Sequence, residues 1–145
     1  VDVVDRFIKI IKPNKIYFGE KDMQQLKIVK DYILKNYTKI KVIGCKTIRE
    51  KNGVAYSSRN HLLSKKEKVI ASKIYKLLSK EKKRLIENKS CLKIIKKEIF
   101  KIGASKIDYL EIFNVNKLTR PFLAQNNHRI FIAYYLRTTR LIDNI

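Results

Sequence analysis

Two short polar stretches carry side chains suited to binding phosphate. In the first, Phe18-Gly19-Glu20-Lys21-Asp22-Met23-Gln24-Gln25-Leu26, an apolar run stops at a glycine and turns into a polar helix start. Gly19 lets a backbone approach a ligand or adopt a positive φ, and Asp22 with Gln25 three residues on has the spacing of a capping box. Lys21 works against the helix dipole at that end unless an anion is bound there. The second stretch, Ser57-Ser58-Arg59-Asn60, sets two hydroxyls, a guanidinium and an amide in succession, all able to donate to phosphate oxygens. Each has a plainer reading: a turn, a cap and one more solvated lysine in the first, a serine-rich loop entering a helix in the second. Spacing alone does not decide between them, and His61, next to the second stretch, reads as incidental.

The elements that must carry these stretches follow from periodicity. Val3, Val4, Phe7, Ile8, Ile10 and Ile11 recur at helical spacing, closed by Pro13 and Asn14, and predict a buried helix. Ile16 to Phe18 read as a fully buried strand of a parallel sheet. A helix follows through Leu26, Ile28, Val29, Tyr32, Ile33 and Leu34 to about Asn36, then a strand over Ile40 to Cys45. Helix, strand, helix, strand is the rhythm of a doubly wound sheet, whose ligands bind beyond the carboxyl ends of the strands, where Gly19 to Gln25 would lie.

Beyond Thr47 the pattern changes. Arg49 to Gly53 read as a polar turn, and Val54 to Tyr56 as a short apolar return. Ser64 and Glu67 have capping-box spacing before a helix through Val69, Ile70, Ile74, Leu77 and Leu78 to about Asn88. Ser90 is placed to cap another helix, closed by Gly103. Alternation then predicts strands over Tyr109 to Val115, Arg129 to Leu136 and Arg140 to Asp143, hence two helices against a small, mostly antiparallel sheet.

Composition sets the outer limits. The chain has 145 residues, of which 45% are hydrophobic, with four glycines and two prolines, enough to build a real core. No apolar run approaches the roughly 20 residues of a membrane-spanning helix, and a cytoplasmic location is the expectation. Cys45 and Cys91 have neither zinc-site nor disulfide-framework spacing and read as small buried residues. The formal charge of +21 would ordinarily point to nucleic acid. The excess is mostly lysine, spread over nearly every segment and accompanied by no nucleic-acid motif; it fits A/T-rich coding DNA, so nucleic acid is not the expected partner. A basic interaction or nucleic-acid-binding module is the alternative, recognisable by binding with a steep salt slope.

The motif F-G-E-K-D-x-Q-Q-L, followed after a helix and a strand by T-I-R-E-x-x-G-x-A-x-S-S-R-N, resembles the pantothenate synthetase (pantoate:β-alanine ligase, AMP-forming) family. The likeness runs from the opening helix to Arg140-Leu141-Ile142-Asp143-Asn144. It implies the end of a Rossmann-like nucleotidylyltransferase sheet over residues 1–47 and a carboxyl-terminal lid domain over residues 48–145. It also implies a two-step reaction: pantoate attacks the α-phosphate of Mg-ATP to give pantoyl adenylate and pyrophosphate, and β-alanine then displaces AMP. On that resemblance Gly19, Glu20, Lys21 and Asp22 match an ATP-binding stretch, with Lys21 on the phosphates and Asp22 near the ribose. Gln25 matches a pantoate-binding glutamine, and Ile48 a position whose backbone meets adenine. Tyr56, Ser57, Ser58 and Arg59 match a mobile phosphate-binding loop; Lys21, Ser57, Ser58 and Arg59 are the residues expected to act on the reacting phosphates.

Two departures accompany the likeness. Tyr56 stands where the family usually has methionine or leucine. The H-x-G-H motif and a second pantoate-binding glutamine, both from the family's first half, have no counterpart here. With Val1 rather than methionine at the start, the expectation is a carboxyl-terminal portion, inactive alone, of an enzyme that is a homodimer when whole.

Overall fold

The structure, a computed structural model, describes residues 1–88, 90–115 and 128–145. The chain divides into two compact units, Val1–Thr47 and Ile48–Ile145.

In the first unit, α1 (Asp2–Ile11), β1 (Lys15–Gly19), α2 (Met23–Asn36) and β2 (Lys41–Cys45) follow one another, and β1 pairs parallel with β2 from Lys15↔Lys41 to Gly19↔Cys45. Asp2 and Asp5 in its first turn and Lys9 in its last suit the dipole of α1. The helix stops at Lys12, left-handed at φ 50°, whose N–H donates to the Ile8 carbonyl at 2.8 Å just before Pro13. Ile8, Val29 and Ile33 form the core, with Val4, Ile16, Phe18 and Val42 packed around it.

Two expectations fail here for one reason. α1 is not a buried helix: Ile8 is its one buried residue, while Val3, Phe7, Ile10 and Ile11 are exposed. Nor is β1 fully buried; its side chains alternate, with Ile16 and Phe18 half-covered and Tyr17 exposed. A two-stranded sheet covered on one face gives each element a single packed side, whatever the hydrophobicity of the other. On α2, Met23, Leu26, Val29 and Ile33 face inward, and Ile28 and Leu34 point out.

A carboxylate ties the helices of this unit together. Asp5 accepts hydrogen bonds from the hydroxyls of Tyr32, at 2.6 Å, and Tyr37, and pairs with Lys9 at 2.7 Å. Hydrogen bonds from Lys9 first, then Tyr32 and Tyr37, hold the Asp5 carboxyl well below the usual carboxylate range. The same bond pushes the Tyr32 hydroxyl up to about 12.

The second unit sets α3 (Lys65–Glu87) and α4 (Cys91–Ile102) against the antiparallel sheet β3 (Lys106–Asn114), β4 (His128–Leu136) and β5 (Thr139–Asn144), with β4 in the middle. The predicted capping box is present: the Glu67 N–H donates to Ser64 Oγ, and the Ser64 N–H to the Glu67 carboxylate at 2.8 Å. Gly103, at φ 129°, ends α4, its N–H donating to the carbonyls of Ile99 and Phe100. Ser90 does not cap α4. Its backbone is already helical, and its hydroxyl donates to Asn88 Oδ1 at 2.7 Å. Ile74 and Leu78 of α3, Ile95 and Ile99 of α4, and Leu110, Ile130 and Ile132 of the sheet fill a continuous core. Among the described residues, no helix is long and apolar enough to cross a membrane.

Candidate active site

The first stretch sits where a parallel sheet places its ligands. Gly19 ends β1 beside Cys45 of β2, and Glu20–Asp22 form a single 3-10 turn that leads into α2. The amino end of α2 presents backbone N–H groups without helical partners, a natural seat for an anion. Lys21 is half-buried in that turn; Asp22 and Gln25 are exposed and, three residues apart, share one side of the helix start.

Two local expectations change. Asp22 makes no capping hydrogen bond, so the box with Gln25 does not form; the 3-10 turn leads the chain into α2 in its place. Gly19 has φ −68° and ψ 131°, ordinary extended backbone, with open space where a Cβ would be. The close approach belongs to Gly44 in β2, where a Cβ would lie 3.1 Å from Leu26 Cδ2 and 3.3 Å from Glu20 Oε1. Cys45 is exposed at the strand end; only Cys91 is buried as expected.

In the second unit the Ile48 carbonyl accepts the Tyr56 N–H at 3.0 Å, and Arg49 bridges to Ala55, so residues 48 and 56 face each other across a narrow loop. Ile48 and Tyr56 both expose their side chains. Gly53 closes the turn at φ 92°, against the ring of Tyr75. Ser57, Ser58 and Arg59 come next, at the start of a 3-10 turn over Ser58–Leu62. Ser57 Oγ accepts the Arg59 N–H at 3.3 Å, and Ser58 and Arg59 are exposed. His61 is exposed in the same turn.

The contacts that hold this stretch escaped sequence reasoning, and the Asn60 amide, expected to face phosphate, makes two of them. The Arg49 guanidinium donates to both carboxylate oxygens of Asp143, at 2.7 and 3.0 Å, and to the carbonyls of Gly53 and Asn144, with the Tyr75 ring centroid 4.4 Å away. Asn60 is buried, its Nδ2 donating to Glu50 Oε1 at 2.9 Å and to the Ala55 carbonyl at 3.1 Å. Asn52 donates to the other oxygen of Glu50 at 3.2 Å and accepts the Val54 N–H at 2.9 Å. The sequence signal was present: Arg49, Glu50, Asn52 and Asn60 lie in or beside the motif, too polar for a turn that needs only a glycine.

Among the described residues, no three His, Cys, Asp or Glu side chains converge as a metal cage. The chemistry available is that of cationic and hydroxyl donors, which suits a polyphosphate.

The model of the pantoate-beta-alanine ligase family matches residues 1–145. The pantothenate synthetase of Clostridium botulinum (strain Loch Maree / Type A3) is 41% identical over 146 residues, an alignment that covers 98% of this chain and 52% of that protein. For the Clostridioides difficile (strain 630) enzyme the identity is 37% over 146 residues, with 98% and 52% covered. The crystal structure of pantothenate synthetase from Thermus thermophilus matches with a TM-score of 0.87 at 29% identity, covering 99% of this chain and 53% of that one. That of the Francisella tularensis pantoate-beta-alanine ligase, complexed with beta-gamma ATP and beta-alanine, matches with a TM-score of 0.76 at 35% identity, covering 99% and 47%. The chain thus spans about half the length of the curated relatives it matches, 52% of each of these two. The fold class expected from the sequence holds: the end of a Rossmann-like parallel sheet, then a small α+β unit. The family model spans the whole sequence and the solved structures match 99% of the chain, so the chain belongs to the pantoate-beta-alanine ligase family.

Proposed function

We propose that this chain carries part of the ATP- and pantoate-binding machinery of an AMP-forming ligase that joins pantoate to β-alanine. The observation that carries the reading is the placement of Gly19–Asp22 at the carboxyl end of β1 and the amino end of α2, in a chain matched throughout by the ligase family. The pantoate carboxylate is ionised at neutral pH, so its attack on the α-phosphate of Mg-ATP calls for neutralisation of phosphate charge rather than a strong base. Lys21 and Arg59 supply cations, Ser57 and Ser58 orient phosphate oxygens, and Asp22 meets the ribose. Gln25 holds pantoate, while the backbone of Ile48 meets adenine with Tyr56 beside it. The attack forms a carboxyl–phosphate bond and releases pyrophosphate. The amine of β-alanine then attacks the acyl carbon, forming the amide, losing a proton and expelling AMP.

Magnesium is read as entering with the nucleotide, as Mg-ATP. Residues 1–47 are read as the end of the nucleotide-binding domain and residues 48–145 as the carboxyl-terminal lid domain. The sequence contains no H-x-G-H motif, so the reading includes inactivity of the chain by itself. The whole enzyme is read as a cytoplasmic homodimer.

The test is an AMP-release assay with ATP, pantoate and β-alanine, run on the chain alone and on a protein in which a family amino-terminal half precedes it. No β-alanine-dependent AMP from the completed protein would refute the reading. In that protein Lys21→Ala should cost about 3 kcal/mol of transition-state stabilisation, the scale of one preorganised donor; an unchanged rate removes Lys21 from its role.

A further inference from the structure

Asn60 has the most constrained side chain in the Ser57–Asn60 stretch, and its amide, read from the sequence as a donor to phosphate, is instead turned inward to Glu50 and Ala55. It is 6% exposed. Its Nδ2 lies between two acceptors, Glu50 Oε1 at 2.9 Å and the Ala55 carbonyl at 3.1 Å, which fixes the amide orientation: a flipped amide would face oxygen with oxygen on both sides. Asn60 Oδ1 is buried and has no hydrogen-bond partner among the described residues. Half of the polar capacity of the amide is therefore unused, and the half that is used makes two bonds from one nitrogen. Neither a hydroxyl nor a carboxylate can do that.

Those two bonds bracket the exposed residues. Ala55 lies two residues before Ser57, and Asn60 directly follows Arg59; the Asn60 N–H also donates to the Ser57 carbonyl at 3.0 Å. Ser57, Ser58 and Arg59 thus form a short span pinned at both ends to one side chain. Glu50 anchors that side chain in turn: its second oxygen accepts from Asn52, whose carbonyl accepts the Ser72 hydroxyl of α3 at 2.7 Å.

We propose that Asn60 is a positioning residue. Its bridge between Glu50 and Ala55 holds Ser57, Ser58 and Arg59 in the conformation that receives the nucleotide phosphates. The phosphate half of this statement rests on the proposed ligase reading; the ordering half stands on the geometry alone. Asn60 touches no substrate, and its effect passes through the three residues it brackets.

The test uses the chain labelled with ¹⁵N. Asn60→Asp puts a carboxylate oxygen where Nδ2 was, facing the Glu50 carboxylate and the Ala55 carbonyl. It should drop the backbone order parameters of Ser57, Ser58 and Arg59 below about 0.6, while α3 amides such as Ile74 and Leu78 stay near about 0.85. Adding Glu50→Gln supplies an N–H to the new carboxylate, reverses the polarity of the bridge and should restore part of the order. A merely structural role does not give this rescue. Should Asn60→Asp fail to fold, shown by loss of α3 order, Asn60→Ala, which leaves no facing charges, carries the same readout. Unchanged order at Ser57–Arg59 in a folded variant overturns the proposal.

A titration with Mg-ATP separates the two halves. Amide shifts centred on Ser57–Arg59 in the unsubstituted chain, weakened about tenfold in Asn60→Asp as expected for loss of a charge-assisted bond, support both. If the unsubstituted chain shows no such shifts while the variants change the order as expected, the phosphate role of the stretch fails and the bridge remains.

Discussion

Arg49 and Asp143, 94 positions apart, meet in a two-pronged ion pair with oxygens at 2.7 and 3.0 Å, which fastens the loop before the serines to the last strand. The side chains are 20% and 12% exposed, so solvent screens the pair only in part. Asp143→Ala should cost about 1–3 kcal/mol, above a surface pair and below a fully buried one. Arg49→Lys should not be neutral, since an ammonium cannot hold two carboxylate oxygens and two carbonyls while lying over Tyr75. Urea unfolding followed by helical circular dichroism measures both; two variants that match the unsubstituted chain would show the pair to be idle.

Gly53 combines a positive φ with crowding. A Cβ there would lie 2.2 Å from Tyr75 Cδ1, and φ is 92°. Gly53→Ala should destabilise the second unit by at least about 2 kcal/mol, from strain and overpacking together. Tyr75→Ala relieves the crowding but not the backbone strain, so the double variant should recover only part of the loss.

The Asp5 cluster predicts how the first unit responds to pH at both extremes. The pKa of Asp5 is lowered, by Lys9 and then the two tyrosines, so its contribution is complete above the ordinary aspartate range and is lost as pH falls through the depressed folded value. Tyr32 is raised from 10.0 to about 12, chiefly by its bond to Asp5, so its contribution is present below pH 10 and lost as pH rises towards 12. Asp5→Asn should bring the Tyr32 titration, followed by phenolate absorbance, back down towards 10.0. A titration that stays near 12 would show that the carboxylate is not the cause.

At the start of α3, Glu67 is held below its ordinary range first by the Ser64 hydroxyl, then by the Ser64 N–H. The sign matches Asp5: the benefit exists above the ordinary glutamate range and fades as pH falls. Ser64→Ala should cost about 1 kcal/mol at neutral pH and less in acid, where the box is already protonated. A cost independent of pH would separate the cap from its glutamate.

Much of this architecture was legible because it is local. Ser64 and Glu67 announce a helix start, Gly103 a helix end, and alternation around Ile130 and Ile132 a strand, each within a few residues of the feature it specifies. The failures share a different cause. Periodicity marks Phe7 and Ile10 as apolar without saying how many layers will cover them, and both are exposed. Asp22 has the spacing of a capping residue, but it closes the 3-10 turn over Glu20–Asp22 and makes no capping hydrogen bond. In the candidate site the residue types proposed to meet phosphate could be read directly, whereas their supports could not. The partner of Arg49 lies in the final strand, and the role of Asn60 depends on two acceptors that only folding brings together.

The strand register gives the first unit a built-in reporter. Cys45 is exposed and pairs across the ladder with Gly19, the residue from which the Glu20–Asp22 turn departs, while Cys91 is buried in the other unit. A thiol-reactive fluorophore should therefore label the folded chain at one position beside that turn without any cysteine having to be added or removed. On the proposed ligase reading its emission would respond to Mg-ATP at the strand ends, and accelerated labelling of Cys91 would register opening of the second core.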